Sequence, residues 1–178
     1  MKTPLLFATL ACCLAMTGAA PNPTTPVSNA IRSIAERSSK NLIAAAEEMP
    51  ADKYGFKPTP AQLSFGEVIG HLSGGNDYLC SSIGGVPAPK RPELSKGASK
   101  EQLVARLRET FKFCETALAK VDDSALTAKL PFFGEKEVTR AEMMFAAAED
   151  WADHYSQLAI YLRLNGHLPP TAKPKTQS

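Results

Sequence analysis

The sequence predicts an all-α fold, a four-helix bundle, on three observations. Four segments carry apolar residues every three or four positions. Three of those segments open on a Ser/Thr-x-x-Glu/Gln capping box. No stretch shows the period-two alternation of a convincing strand. The chain has 178 residues, 44% hydrophobic and 21% charged, which suits one domain and excludes a disordered or fibrous protein.

Residues 1–20 stand apart from this pattern. Lys2 precedes an apolar stretch from Pro4 to Met16, and Gly18, Ala19 and Ala20 follow. A positive start, a short apolar middle and a small-residue exit are the marks of a secretory signal peptide. The stretch is shorter than the ~20 residues of a membrane-spanning helix. The expected mature chain begins near Pro21 and is exported, to the periplasm or the medium, with no stable membrane span. Ala11-Cys12 also suits a lipoprotein, but the small residues after Cys13 fit ordinary cleavage better. Loss of Lys2 leaves 19 basic against 18 acidic residues, from 20 against 18 in the whole chain. A charge so balanced, without a basic run, argues against nucleic acid as a partner.

The helices follow in order over a bundle domain expected at 21–170. Thr25 is placed to cap the first, with Pro26 at its first position and Val27, Ile31, Ile34, Leu42 and Ala46 on one stripe up to Met49. Pro50 ends it. The box Ser64-Phe65-Gly66-Glu67 opens the second, with Val68, Leu72, Leu79 and Ile83 inward and Gly84-Gly85 as the stop. Ser99-Lys100-Glu101-Gln102 opens the third, carrying Leu103, Leu107, Phe111, Cys114, Leu118 and Val121. Thr139-Arg140-Ala141-Glu142 opens the fourth, through Met143, Ala147, Trp151, Leu158 and Leu162 to Asn165 and the stop at Gly166. Residues 171–178 read as a disordered polar tail.

The connection at 85–98 decides the topology. Its 14 residues include Pro87, Pro89 and Pro92 and reach ~43 Å if extended, more than the ~30 Å of a 20-residue helix. The chain can therefore run back along the bundle and make the second and third helices parallel. Cys80 lies 16 residues after Ser64, and Cys114 lies 15 after Ser99. Parallel helices put the two at one height and allow a disulfide; otherwise they are two buried free thiols.

Of the three histidines, two carry the candidate chemistry. His71 sits in the middle of the second helix among Gly70, Ser73, Gly74 and Gly75, and helical glycines each cost about 1 kcal/mol relative to alanine. Asp150 and His154 stand one turn apart on one face of the fourth helix. A carboxylate and an imidazole at this spacing can chelate a divalent cation, with His71 as third ligand, or form an ordinary surface ion pair. His167 reads as a surface loop residue, and Tyr78 and Trp151 as core. No Ser-His-Asp arrangement is present, and Cys80 faces away from His71.

Residues 64–80, the segment LPFFGEKEVTRAEMM at 130–144, and DHYSQLAIYLRLNGHLPP at 153–170 resemble the DinB-like superfamily. His71 and His154 match its first and last metal-binding histidines. Gln157, Tyr161-Leu162-Arg163, Asn165-Gly166 and Pro169-Pro170 match its trailing pattern. Asp150 departs from it, standing where the family has the first histidine of H-x-x-x-H. The resemblance implies a four-helix bundle with a long connection between parallel second and third helices. It also implies a divalent transition metal (Zn, Ni, Mn or Fe) on His71, Asp150 and His154. A metal-dependent hydrolase of a small molecule follows; a non-catalytic bundle with a degenerate site is the alternative. A homodimer is compatible with the sequence.

Overall fold

The computed structural model describes residues 25–134 and 136–174. The leader at 1–20 lies outside the described residues. Four helices form the bundle: α1 (Pro26–Glu48), α2 (Phe65–Gly84), α3 (Lys100–Leu118) and α4 (Arg140–Leu164). Each starts within a residue of its sequence signal. The three capping boxes form as read, with Glu67, Gln102 and Glu142 each closing a reciprocal pair of hydrogen bonds. Among the described residues no helix is long and apolar enough to cross a membrane.

Pairings along the helices fix an up-down-down-up order. Asn76 meets Thr110, Cys80 meets Cys114, and Gly84 meets Ala117, so α2 and α3 run parallel. A Cβ on Gly84 would stand 2.8 Å from the Ala117 carbonyl oxygen, and only glycine permits that approach. The Cys80 and Cys114 Cα atoms are 5.1 Å apart and the pair is disulfide-bonded. Leu63 meets Tyr161 and Asn76 meets Trp151, so α2 and α4 are antiparallel. The 85–98 connection is held by Arg91, whose guanidinium clasps Asp77 on α2 at 2.6 and 3.2 Å and reaches Glu109 on α3 at 3.0 Å.

Most of the predicted stripes lie in the core, with Val27 and Ile34 of α1 only partly buried against it. Leu42, Ala46, Val68, Leu72, Ile83, Leu107, Leu118, Met143, Leu158 and Leu162 are buried, and Trp151 lies among them. A cluster this continuous supplies the main stabilisation of the bundle, because each fully buried aliphatic or aromatic side chain contributes roughly 1.5–3 kcal/mol.

Three expectations need correction. A hairpin, β1 (Lys129–Phe132) and β2 (Lys136–Thr139), precedes α4, with Leu130 opposite Val138 and Phe132 opposite Lys136. Strands of four residues, one holding Pro131, are too short to show alternation. The cap of α1 comes from a distant residue. Thr25 holds the N-cap position, but the Asp123 carboxylate accepts the Val27 and Ser28 N–H groups at 3.0 and 2.8 Å. Finally, of the tail expected at 171–178, residues 171–174 are described and held in place, and 175–178 lie outside the described residues. Pro170–Ala172 form a 3-10 turn, Thr171 bonds the Tyr155 hydroxyl at 2.8 Å, and Lys173 pairs with Glu48.

Candidate metal centre

The antiparallel crossing of α2 and α4 brings the candidate ligands together. His71 projects from the middle of α2, and Asp150 and His154 lie one turn apart on α4. One ligand atom from each of the three lies within 4.8 Å of the others. Three atoms spread around one ion at about 2.0–2.3 Å lie about 3.3–4.0 Å apart, so shared coordination asks for side-chain shifts of up to about an ångström. The imidazole rings of His71 and His154 are 5.2 Å apart between centroids.

The local hydrogen bonds prepare these groups as ligands. His154 Nδ1 lies 2.7 Å from the Asp150 backbone carbonyl, which can only accept, so Nδ1 carries the proton and donates. The Nε2 lone pair is thereby left free to coordinate. The same Nδ1 is 3.3 Å from Asp150 Oδ1. Asp150 Oδ2 is buried and has no hydrogen-bond partner in the protein. Burial pushes the Asp150 carboxyl above the usual range, while His154 and His71 pull it down. A buried carboxylate oxygen without a partner is costly unless a cation meets it. Two neutral imidazoles and one carboxylate suit a first-row divalent metal, so the residues present fit such an ion.

A cavity of about 640 Å³ opens beside the triad, lined by His71, Asp150, Gly74, Tyr78, Phe133 and Glu149 among others. Tyr78, expected in the core, is half-buried: it packs against the core and also lines this cavity. Its hydroxyl donates to the Pro131 carbonyl at 3.1 Å and accepts the Phe133 N–H at 3.0 Å, which fixes the hairpin over the opening. Trp151 is core, as expected, and its Nε1–H donates to Asn76 Oδ1. Asn76 carried no periodic signal because it is a polar residue on the buried face. His167 is half-buried, with Nδ1 3.5 Å from Glu48 Oε1, and takes no part in the centre.

The family model for the DinB superfamily matches residues 34–158. The chain belongs to the DinB superfamily. Among solved structures, a DinB-like protein of Bacillus subtilis is similar to it with a TM-score of 0.67 at 20% identity, covering 82% of this chain and 100% of its own. A DinB-like protein of Bacillus cereus gives a TM-score of 0.66 at 16% identity, over 83% of this chain and 97% of its own. A conserved protein of Enterococcus faecalis gives 0.62 at 16% identity, over 78% and 96%. At these identities the likeness shows a DinB-like fold alone. No curated protein gives a significant match. Within this DinB-superfamily bundle, a His-Asp-His group able to hold a metal stands where α2 and α4 cross.

Proposed function

We propose that this DinB-superfamily protein binds one divalent transition metal (Zn, Ni, Mn or Fe) through His71, Asp150 and His154 and acts, after export, as a metal-dependent hydrolase of a small molecule. The observation that carries the reading is the meeting of three ligand atoms within 4.8 Å beside a cavity of about 640 Å³. The buried, unpartnered Asp150 Oδ2 supports it.

When bound, a divalent ion supplies Lewis acidity, the property that activates water as a nucleophile near neutral pH. The chain's own residues do the rest. His154 is oriented by its hydrogen bond to the Asp150 carbonyl, and Asp150 brings one negative charge that favours harder metals than three imidazoles would. Exposed His71 lines the open side, where a substrate enters from the cavity.

The test uses the chain purified without a histidine tag and supplied in turn with Zn, Ni, Mn and Fe. Near-stoichiometric metal in the wild type and little in His154→Ala is expected; equal content in both overturns the metal reading. Chelator-sensitive turnover within a panel of esters, amides and lactams is expected. Because Asp150 replaces a family histidine, a loaded protein inert across that panel favours the non-catalytic bundle instead. The export reading rests on the 1–20 sequence alone, and recovery of the chain in the cytoplasm with Lys2 intact overturns it.

A further inference from the structure

The cavity beside the triad has a chemistry of its own. Its far wall is aromatic: the rings of Tyr78 and Phe133 are 4.7 Å apart, and those of Phe132 and Phe133 are 4.8 Å apart, edge to face. Phe133 is 65% exposed and has φ of +37°, a conformation an aromatic residue enters only under strain. Its neighbour Gly134 also has a positive φ, +93°, at no cost, whereas the strained position beside it holds a large apolar ring facing water. The Tyr78 hydroxyl holds Phe133 there through the backbone N–H.

The near wall is acidic. Glu149, Asp150 and Asp153 all line the cavity, and among the described residues no lysine or arginine does. Asp153 takes a hydrogen bond from Gln157 at 2.7 Å, a neutral partner that leaves its charge in place. A divalent ion on the triad would offset only two of these three negative charges. Lys96 and Lys100 line a separate depression beyond His71, and the Lys100 ammonium is already bound to the Glu47 and Met49 carbonyls. The floor between the walls is kept low. A Cβ on Gly74 would meet nothing within 4 Å, so no protein neighbour demands glycine at that mid-helix position.

We propose that the substrate of this cavity is an organic cation with a flat apolar body, the ring lying against Phe133 and Tyr78 and the positive charge facing Glu149 and Asp153. An exposed aromatic face beside carboxylates attracts an ammonium group twice, through its quadrupole and through charge. Tyr78 lies seven residues beyond His71, so the aromatic wall is about 10 Å along α2 from the triad and the substrate spans that length. The inference rests on the reading of the cavity as a substrate site.

Benzyltrimethylammonium is the probe, titrated at low salt into the full chain with and without zinc, beside benzyl alcohol and phenylacetate. Saturable binding of the cation is expected, about tenfold tighter than benzyl alcohol, with phenylacetate weaker still. Phe133→Gly removes the ring while relieving the backbone, so it folds at least as well as wild type and binds the cation about fivefold more weakly. Glu149→Gln with Asp153→Asn gives a loss of similar size and raises the relative affinity for phenylacetate. His154→Ala keeps cation binding while losing metal, which separates this inference from the metal reading. Equal binding of phenylacetate and the cation, unchanged affinity in Phe133→Gly, or no saturation with wild type overturns the proposal.

Discussion

The indole Nε1 of Trp151 donates to Asn76 Oδ1 at 2.7 Å, and this bond ties the residue after Asp150 to the helix that carries His71. Asn76 has a further partner: its Nδ2 donates to Thr110 Oγ1 at 3.1 Å. One buried amide thus joins α2, α3 and α4 at the level of the metal centre. Asn76→Ala leaves the Trp151 N–H buried and unsatisfied. A loss of about 2–4 kcal/mol is expected by denaturant unfolding, with weaker metal binding.

Asp150 should favour metal binding at the expense of metal-free stability. In the metal-free protein, burial raises its carboxyl pKa in the fold. The native state then holds the proton longer than the unfolded chain, so stability falls as pH rises through the folded value. Without metal, Asp150→Asn is expected to melt higher than wild type at pH 7 and to show less dependence on pH. With metal its affinity drops, by about 100-fold or more. Asp150→His restores the family's H-x-x-x-H and retains binding. Metal-free melting curves with Asp150→Asn no more stable than wild type would contradict the burial account.

Acid should loosen the starts of α2 and α4 more than that of α3, where Glu101 is lowered mainly by its own backbone N–H and the Ser99 hydroxyl. The backbone N–H of Ser64, its hydroxyl and Lys57 hold Glu67 down at about 2, and Thr139 lowers Glu142 in the same way. A carboxylate lowered in the fold contributes stability that is present above its unfolded pKa and lost as pH falls through the folded value. The α3 box uses Gln102, which does not titrate. Glu67→Gln is therefore expected to flatten the fall of Tm between about pH 4.5 and pH 2. Amide exchange in the first turns of the three helices reads the difference directly.

Reduction of Cys80–Cys114 removes a link across 34 residues. Loop-closure entropy assigns that link about 3–4 kcal/mol. The same loss should follow dithiothreitol treatment or a Cys80→Ala, Cys114→Ala double substitution, measured by urea unfolding. The helices should survive it, because the core stripes do not depend on the bridge.

What the sequence made legible is whatever repeats or closes locally. The capping boxes at Ser64, Ser99 and Thr139 are four-residue signals and mark their helices to the residue. Cys80 and Cys114 sit almost equally far from their caps, and parallel helices turn that coincidence into contact. His71, Asp150 and His154 were visible through spacing and family resemblance. The remainder depends on distance in the fold. Asp123 caps a helix start 95 residues away, and no local pattern announces a carboxylate borrowed from another turn. Asn76 is a polar residue where burial alone would ask for an aliphatic one. Phe133 in a left-handed conformation follows from the anchoring of its N–H by Tyr78, which only the packed hairpin supplies.

The disulfide spans the whole 85–98 connection and bears on how the protein survives proteolysis. A protease that cuts once between residues 81 and 113 severs the chain between His71 and the pair Asp150 and His154. The two fragments would still be one covalent molecule, held by the bridge and clasped around the same core. Cleavage there would appear on a reducing gel and vanish on a non-reducing one, and the nicked protein would keep its three candidate ligands together.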